Sequence, residues 1–388
     1  MKKILTMVVL ILLVLLVNAN DGVFYANGNQ LIPIVETDIS VKREVLNITR
    51  QGDYAIVDVY YEFFNPTKQK TLLVGFEAPS PYNAFFNFSD YHDQHPFISD
   101  FTVNMNGKDL PYRVALVVDD SLYYKGGNFI YADTQGMKNR LGTPLDAQYV
   151  YHFTAVFQPG LNTVHHQYKY RFSSHIGSTA TLYYTLTAAN RWANHQIDDF
   201  TLNIDMGQHT TFSIPITFFE NISEWQFCGI GLCKKTPPIS QVGVCENEYI
   251  TFHIQHGYIT LHKENFHPKG ELSVQHFHYV WDLYEKGVKE FIKTFYLTGS
   301  LDEWFITFEN YLKESNHTAF PDDAKRILRN LPWAYRGYIF KDKELQKFYE
   351  STQWYVANPA YKGSQDDFSM GDNKWVNYWD GITDWKIE

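Results

Sequence analysis

Residues 55–64 read AIVDVYYEFF and are followed at once by Asn65-Pro66. β-Branched and aromatic side chains suit a pleated, half-buried surface and Asn-Pro is a turn signal, so the run predicts a β-strand with a defined end. Outward from it the same texture repeats. Residues 101–105 precede Asn106-Gly107, 163–172 follow Pro159-Gly160, and similar short runs stand at 179–186, 200–205, 249–254 and 271–280. Short strands punctuated by Gly, Pro and Asn, with little helical periodicity, predict a mostly-β region of one or two β-sandwich-like units over 20–280. Asn106-Gly107 and Asn27-Gly28 are the best hairpin turns, because both dipeptides favour the positive φ of a type I′ turn.

The texture changes near Trp281. Seven of the nine tryptophans (281, 304, 333, 354, 375, 379 and 385) fall from there to the end, and helical spacing appears for the first time. Ser300-Leu301-Asp302-Glu303 is a capping box opening a helix whose Trp304, Phe308 and Tyr311 recur at i, i+4 and i+7. Asp322 or Asp323 can cap a second helix through Ile327 and Leu328, and Asp342 a third through Leu345, Phe348 and Tyr349. The fold class expected is therefore mixed and multidomain. A β-rich region at 20–280 is followed by a helical connection at 281–299, a small α-helical domain at 300–370 and a Trp-rich tail at 371–388.

Before the β region stand Lys2-Lys3, an apolar run at 4–17 broken only by Thr6, and Asn18-Ala19-Asn20. A short positive region, an apolar stretch too short to span a bilayer comfortably and a small residue at Ala19 describe a signal peptide over 1–19. The mature chain is then exported, to the periplasm or the cell surface, and no second apolar stretch reaches membrane-spanning length. Its 388 residues, 45% hydrophobic and 17% aromatic, exclude a disordered or collagen-like chain. A formal charge of −10, without a Lys/Arg cluster longer than a pair such as Lys234-Lys235, argues against a nucleic-acid partner.

The three cysteines, Cys228, Cys233 and Cys245, lie in one short stretch. In an exported protein they read as one disulfide plus an odd thiol: Cys228 with Cys233, or either with Cys245. Adding His253 would make a Cys₃His zinc site, but the spacings lack the paired C-x₂₋₄-C pattern. Six of fifteen histidines stand at 253, 256, 262, 267, 276 and 278. His276 and His278 share one face of a strand, the geometry a metal site would use, with Asp282 or His253 to complete it. Satisfied core or exposed strand histidines are the blander account. Adjacent acids at Asp119-Asp120, Asp198-Asp199, Asp322-Asp323 and Asp366-Asp367 read as turn or cap residues rather than a glycosidase pair. There is no nucleophile elbow, HExxH motif, P-loop or dinucleotide fingerprint, so neither an enzyme nor a cofactor is expected.

Arg329-Asn330-Leu-Pro-Trp333-Ala334-Tyr335-Arg336-Gly337-Tyr338-Ile-Phe340-Lys341, with Glu344-Leu345-Gln346 and then Trp354-Tyr355, resembles the YARHG domain of bacterial extracytoplasmic proteins over about 318–369. Ala334 and Gly337 agree with its name motif, whereas Trp333, Tyr335 and Arg336 stand where the family usually has Tyr, Arg and His. The resemblance implies a small envelope-associated module, supposed in the family to bind cell wall and often found beside peptidases. The β region is similar to a domain-of-unknown-function family of secreted bacterial proteins. Its cues are residues 28–33, Glu36-Thr37-Asp38-Ile39, Asn65, Phe157-Gln158-Pro159-Gly160, His166 and Tyr168, residues 184–186, Trp192 and Asp199-Phe200. That likeness implies no function.

Candidate binding residues are Arg329, Trp333, Tyr335, Arg336, Tyr338, Trp354, Tyr355 and Trp379. Aromatic faces can stack on sugar rings, and a guanidinium can grip a carboxylate with two parallel hydrogen bonds. Against this, Trp and Tyr also build small cores, and Arg can pin its own module. The expectation is an exported, non-enzymatic envelope protein whose partners are peptidoglycan or another envelope glycan, and envelope proteins. The alternatives are a zinc-dependent envelope hydrolase using the histidines of 253–278, with His276 and His278 first, and a structural subunit of an envelope assembly.

Overall fold

The computed structural model describes residues 31–33, 37–79, 94–117, 148–175, 178–236, 248–277, 287–294, 310–311 and 320–381. The 1–19 segment, Asn27-Gly28, the Ser300 capping box and Cys245 lie outside them. The strands are β1 (Leu31–Pro33), β2 (Ser40–Gln51), β3 (Tyr54–Asn65), β4 (Lys70–Pro79), β5 (Ile98–Met105), β6 (Lys108–Asp109), β7 (Arg113–Val117) and β8 (Gln148–Phe157). There follow β9 (Gly160–Arg171), β10 (Ser173–His175), β11 (Ser178–Tyr184), β12 (Ile197–Asp205), β13 (Thr210–Pro215), β14 (Trp225–Thr236), β15 (Tyr249–Phe266) and β16 (Leu272–Phe277).

The AIVDVYYEFF run is the body of β3, ending at Asn65 as its turn signal requires. Its residues alternate between buried and part-exposed, as a period of two demands when one sheet face is covered. β2 and β9 pair with β3 antiparallel along its full length. Asn106-Gly107 closes the β5–β6 hairpin with φ of 51° and 79°, the left-handed pair this dipeptide tolerates.

Two sheets result. One has the order β1-β4-β8-β7; the other runs β10-β11-β16-β13-β15-β12-β2-β3-β9-β5-β6, with β14 also paired to β15. Their facing side chains form one aromatic-rich core, in which Phe63 lies 4.4 Å from Trp192 and Phe76 lies 5.2 Å from Phe101, ring centre to ring centre. β12 and β13 run in the same sense along β15, against residues 259–266 and 249–254 respectively. Residues 206–209 interrupt that pairing, with Gly207 and His209 at φ of 92° and 50°.

Helices follow the strands: α1 (Val288–Thr294), α2 (Asp322–Arg329), α3 (Leu331–Tyr335), α4 (Lys343–Glu350) and α5 (Met370–Trp379). Asp342 caps α4 as expected, its carboxylate accepting from the amides of Glu344 and Leu345. α2 differs. Its N-cap position is Pro321, without a side-chain cap, and Asp322 and Asp323 sit inside the first turn, where negative charge suits the helix dipole. The helices enclose a second core, sharing no residue with the first. The residues set apart in sequence as a Trp-rich tail supply α5 to that core: Trp375 is fully buried and donates from Nε1 to the Leu328 carbonyl at 2.6 Å.

Candidate functional site

Around residues 329–338 the polar atoms are turned inward. Arg336 donates to the carbonyls of Pro332 (2.8 Å) and Asp367 (2.9 Å) and to the Asp372 carboxylate (2.7 Å), and its guanidinium lies 4.6 Å from the Phe368 ring centre. Arg329 grips the Asp380 carboxylate with two donors and lies over Trp333. Trp333 is buried and donates to the Gly363 carbonyl at 3.2 Å. Trp354 is fully buried and donates to the Ile292 carbonyl at 2.7 Å, fastening α1 to the module. The Tyr355 hydroxyl donates to the Tyr338 carbonyl at 2.8 Å. Trp379 is half-buried between Phe320, Trp375 and Tyr378. Of the two uses open to these arginines and tryptophans, holding the module together is the one these contacts serve.

Tyr335 faces the β region. Its carbonyl accepts from His209 Nδ1 at 3.0 Å and Gln255 Nε2 at 3.4 Å, and Gln255 Nε2 also donates to the Val356 carbonyl at 3.0 Å. Lys234 of β14 donates to the Thr352 carbonyl at 3.1 Å, and the His253 ring lies 6.2 Å from that of Trp354. Gly337, at φ of 74°, touches this seam: a Cβ there would collide with the Val356 carbonyl oxygen and Gln255 Nε2 and lie 2.7 Å from the Asn358 nitrogen. The motif glycine is thus demanded both by its backbone and by the approach of β15.

Burial pushes the Tyr335 phenol well above its ordinary range and holds His253 down at about 3. His209 is lowered too, first by burial and then by the nearby Arg336. His253 is buried and hydrogen-bonds Thr211 Oγ1 through Nδ1 at 2.7 Å. Among the described residues no three His, Cys, Asp or Glu side chains converge as metal ligands. His276 lies in β16, and His278 is outside the described residues. Cys228 and Cys233 are both unbridged and five residues apart on β14, roughly 16 Å at strand rise. Of the expected pairings, that distance rules out Cys228 with Cys233, because a disulfide needs Cα atoms within about 7 Å, and the pairings with Cys245 lie outside the described residues.

What remains accessible is narrower. Tyr338 and Tyr361 are half-exposed, with ring centres 6.3 Å apart, and Ile339, next to Tyr338 in the chain, is 45% exposed. Tyr361 carried no signal beyond its residue type, and His209, Gln255, Asp372 and Asp380 gave none, since their roles depend on partners distant in sequence.

Residues 307–383 are a YARHG domain. The match runs past the expected limit of 370 and takes in α5, as the shared core requires. Residues 19–120 match a domain of unknown function, DUF4424. Both occur in secreted bacterial proteins, and among the described residues no helix is long and apolar enough to cross a membrane. No curated protein is a significant match. Among solved structures, a Legionella pneumophila protein provisionally described as nutrient-binding is 16% identical, over 93% of this chain and 99% of its own, with a TM-score of 0.47. A point mutant of an M1 zinc metallopeptidase from Deinococcus radiodurans is 12% identical, over 58% of this chain and 42% of its own, with a TM-score of 0.22. Inside the YARHG domain the motif positions now have physical roles: Arg336 pins α3 to α5, and Gly337 lets the domain meet β15.

Proposed function

We propose that the protein is an exported, non-enzymatic component of the bacterial cell envelope that holds an envelope glycan, with peptidoglycan first, on the YARHG surface formed by Tyr338, Ile339 and Tyr361. In this reading residues 1–19 are removed on export and 20–280 form a β platform carrying the helical domain behind it. The observation that supports it is the division of labour among the aromatics. Trp333, Trp354, Tyr335 and Tyr355 are buried, whereas the Tyr338 and Tyr361 rings reach solvent beside an exposed Ile339. Flat apolar faces with hydroxyl edges are suited to sugar rings. Gly363 lies against the Tyr338 ring, and the Tyr361 hydroxyl donates to the Ser364 carbonyl at 2.6 Å, so both rings are held in place before a ligand arrives.

The test is co-sedimentation of the mature protein with purified sacculi. Tyr338→Ala with Tyr361→Ala is expected to weaken binding at least tenfold in a protein that is less stable but still unfolds cooperatively above the assay temperature. Undiminished sedimentation of that well-folded variant, or no sedimentation of the wild type, would remove this reading and leave a protein-only partner.

A further inference from the structure

β13, β15 and β16 present a polar face that is nevertheless buried. On one side of these strands Phe212, Ile214, Phe252, Ile254, Leu272 and Val274 enter the main core. On the other stand Thr211, Ser213, Thr251, His253, Gln255 and Gln275, each no more than 8% exposed. Strands buried on both faces ordinarily read as continuous apolar runs, because an unneeded polar group under cover costs free energy. Here the alternation of a sheet with one wet face is retained. The strip answers part of its burial by pairing internally: Ser213 Oγ with Thr251 Oγ1 at 2.8 Å and Thr211 Oγ1 with His253 Nδ1 at 2.7 Å. Gln255 Oε1 has no partner among the described residues.

At its His253–Gln255 end the strip is covered by the YARHG domain. Among the described residues the fastening includes hydrogen bonds from His209, Lys234 and Gln255 to domain carbonyls and the contact of the His253 and Trp354 rings, and no ion pair crosses the seam. The domain has a core of its own. A polar seam between two separately cored bodies is the kind that opens without unfolding either.

We propose that the YARHG domain is a releasable cap and that the end of the strip beneath it, with Thr211, His253 and Gln255, is a second binding face, for an uncharged sugar bearing hydroxyl and amide groups. That end offers a hydroxyl, a carboxamide and a neutral imidazole, all able to donate or accept, and no formal charge to meet an ion. A covered face binds with an affinity reduced by the fraction of time it is open, so loosening the cap strengthens binding. The inference rests on the envelope-glycan reading for its ligand class, but the opening itself does not.

The experiment uses the full mature chain carrying either Thr211→Cys, on the strip, or Ile214→Cys, on the core face of the same strand. Thiol labelling is read by mass spectrometry on the peptide concerned. Position 211 is expected to label at least a hundredfold faster than 214, and at least tenfold faster again when His209→Ala and Lys234→Ala loosen the cap. Equal rates at 211 and 214 would mean that the seam opens only on unfolding and would overturn the cap. Calorimetry with the N-acetylglucosamine tetramer tests the face: the His209→Ala/Lys234→Ala protein should bind several-fold tighter than wild type, and Thr211→Val should abolish the gain. Absence of tetramer binding to the loosened protein would overturn the binding face. Because Tyr338 and Tyr361 are untouched in every variant, failure of the sacculus reading shows separately.

Discussion

Gly337 lies against the side-chain amide of Gln255 with no room between them for a Cβ atom. One residue belongs to the YARHG motif and the other to the longest strand of the β region, so the motif encodes how the domain meets its platform. Gly337→Ala must strain a φ of 74° as well as force the seam apart. The left-handed backbone alone costs about 1–2 kcal/mol for an alanine. The expected outcome is a fall of about 2 kcal/mol or more in urea, with a domain more quickly cut by protease than in the wild type.

Arg336 and Asp372 are both largely buried and paired at 2.7 Å. Removing one partner leaves the other charge uncompensated, which costs about 3 kcal/mol. Arg336→Ala should therefore lower the stability of the helical domain by that amount, and Arg336→Lys should recover only part of it, because an ammonium cannot reach two carbonyls and a carboxylate in the same fork. A double-mutant cycle with Asp372→Asn measures the coupling.

Trp375 and Trp379 lie one helical turn apart on α5 and have different surroundings. Trp375 is fully buried with its indole nitrogen bonded, so Trp375→Ala should cost about 3–5 kcal/mol. Trp379 is half-exposed, and Trp379→Ala should cost clearly less. Thermal unfolding of both variants checks the order.

Burial holds His166 and His253 at about 3 in the folded chain. Unfolded histidines titrate near 6.5, so between those values the unfolded chain binds more protons and stability falls as pH falls. At pH 5 the loss is about 2 kcal/mol for each histidine. His166→Phe removes a ring whose two nitrogens have no partner among the described residues. Its urea midpoint should drop less than that of the wild type between pH 7.5 and pH 5.

Cys228 is exposed and Cys233 half-buried, with its thiol pushed up by burial. Iodoacetamide should modify Cys228 first, because the thiolate is the nucleophile and burial disfavours it at Cys233. Peptide mapping under non-reducing conditions should find no Cys228–Cys233 bridge.

Much of the fold was legible where the signal is local. Residues 55–64 announced a half-buried strand, Asn106-Gly107 its hairpin turn and Asp342 its helix cap, because each depends on neighbours within a few positions. The candidate site was legible only as a set of residue types. Arg336 offers the same guanidinium to a ligand or to its own domain, and its carboxylate partner, Asp372, stands 36 residues away. Trp333 and Tyr338 look alike in sequence as aromatics near one motif, yet one is buried and the other reaches solvent.

The sequence by itself determined a β-rich region followed by a helical one and the resemblance of the latter to the YARHG domain, since periodicity, turn chemistry and motif order are written along the chain. Only the tertiary structure decided that the motif arginines are spent on internal bonds, that α5 completes the helical core and that a polar face of β13 and β15 is covered. Those outcomes depend on which distant residues share a core or a seam, and long-range pairing leaves little mark in local composition.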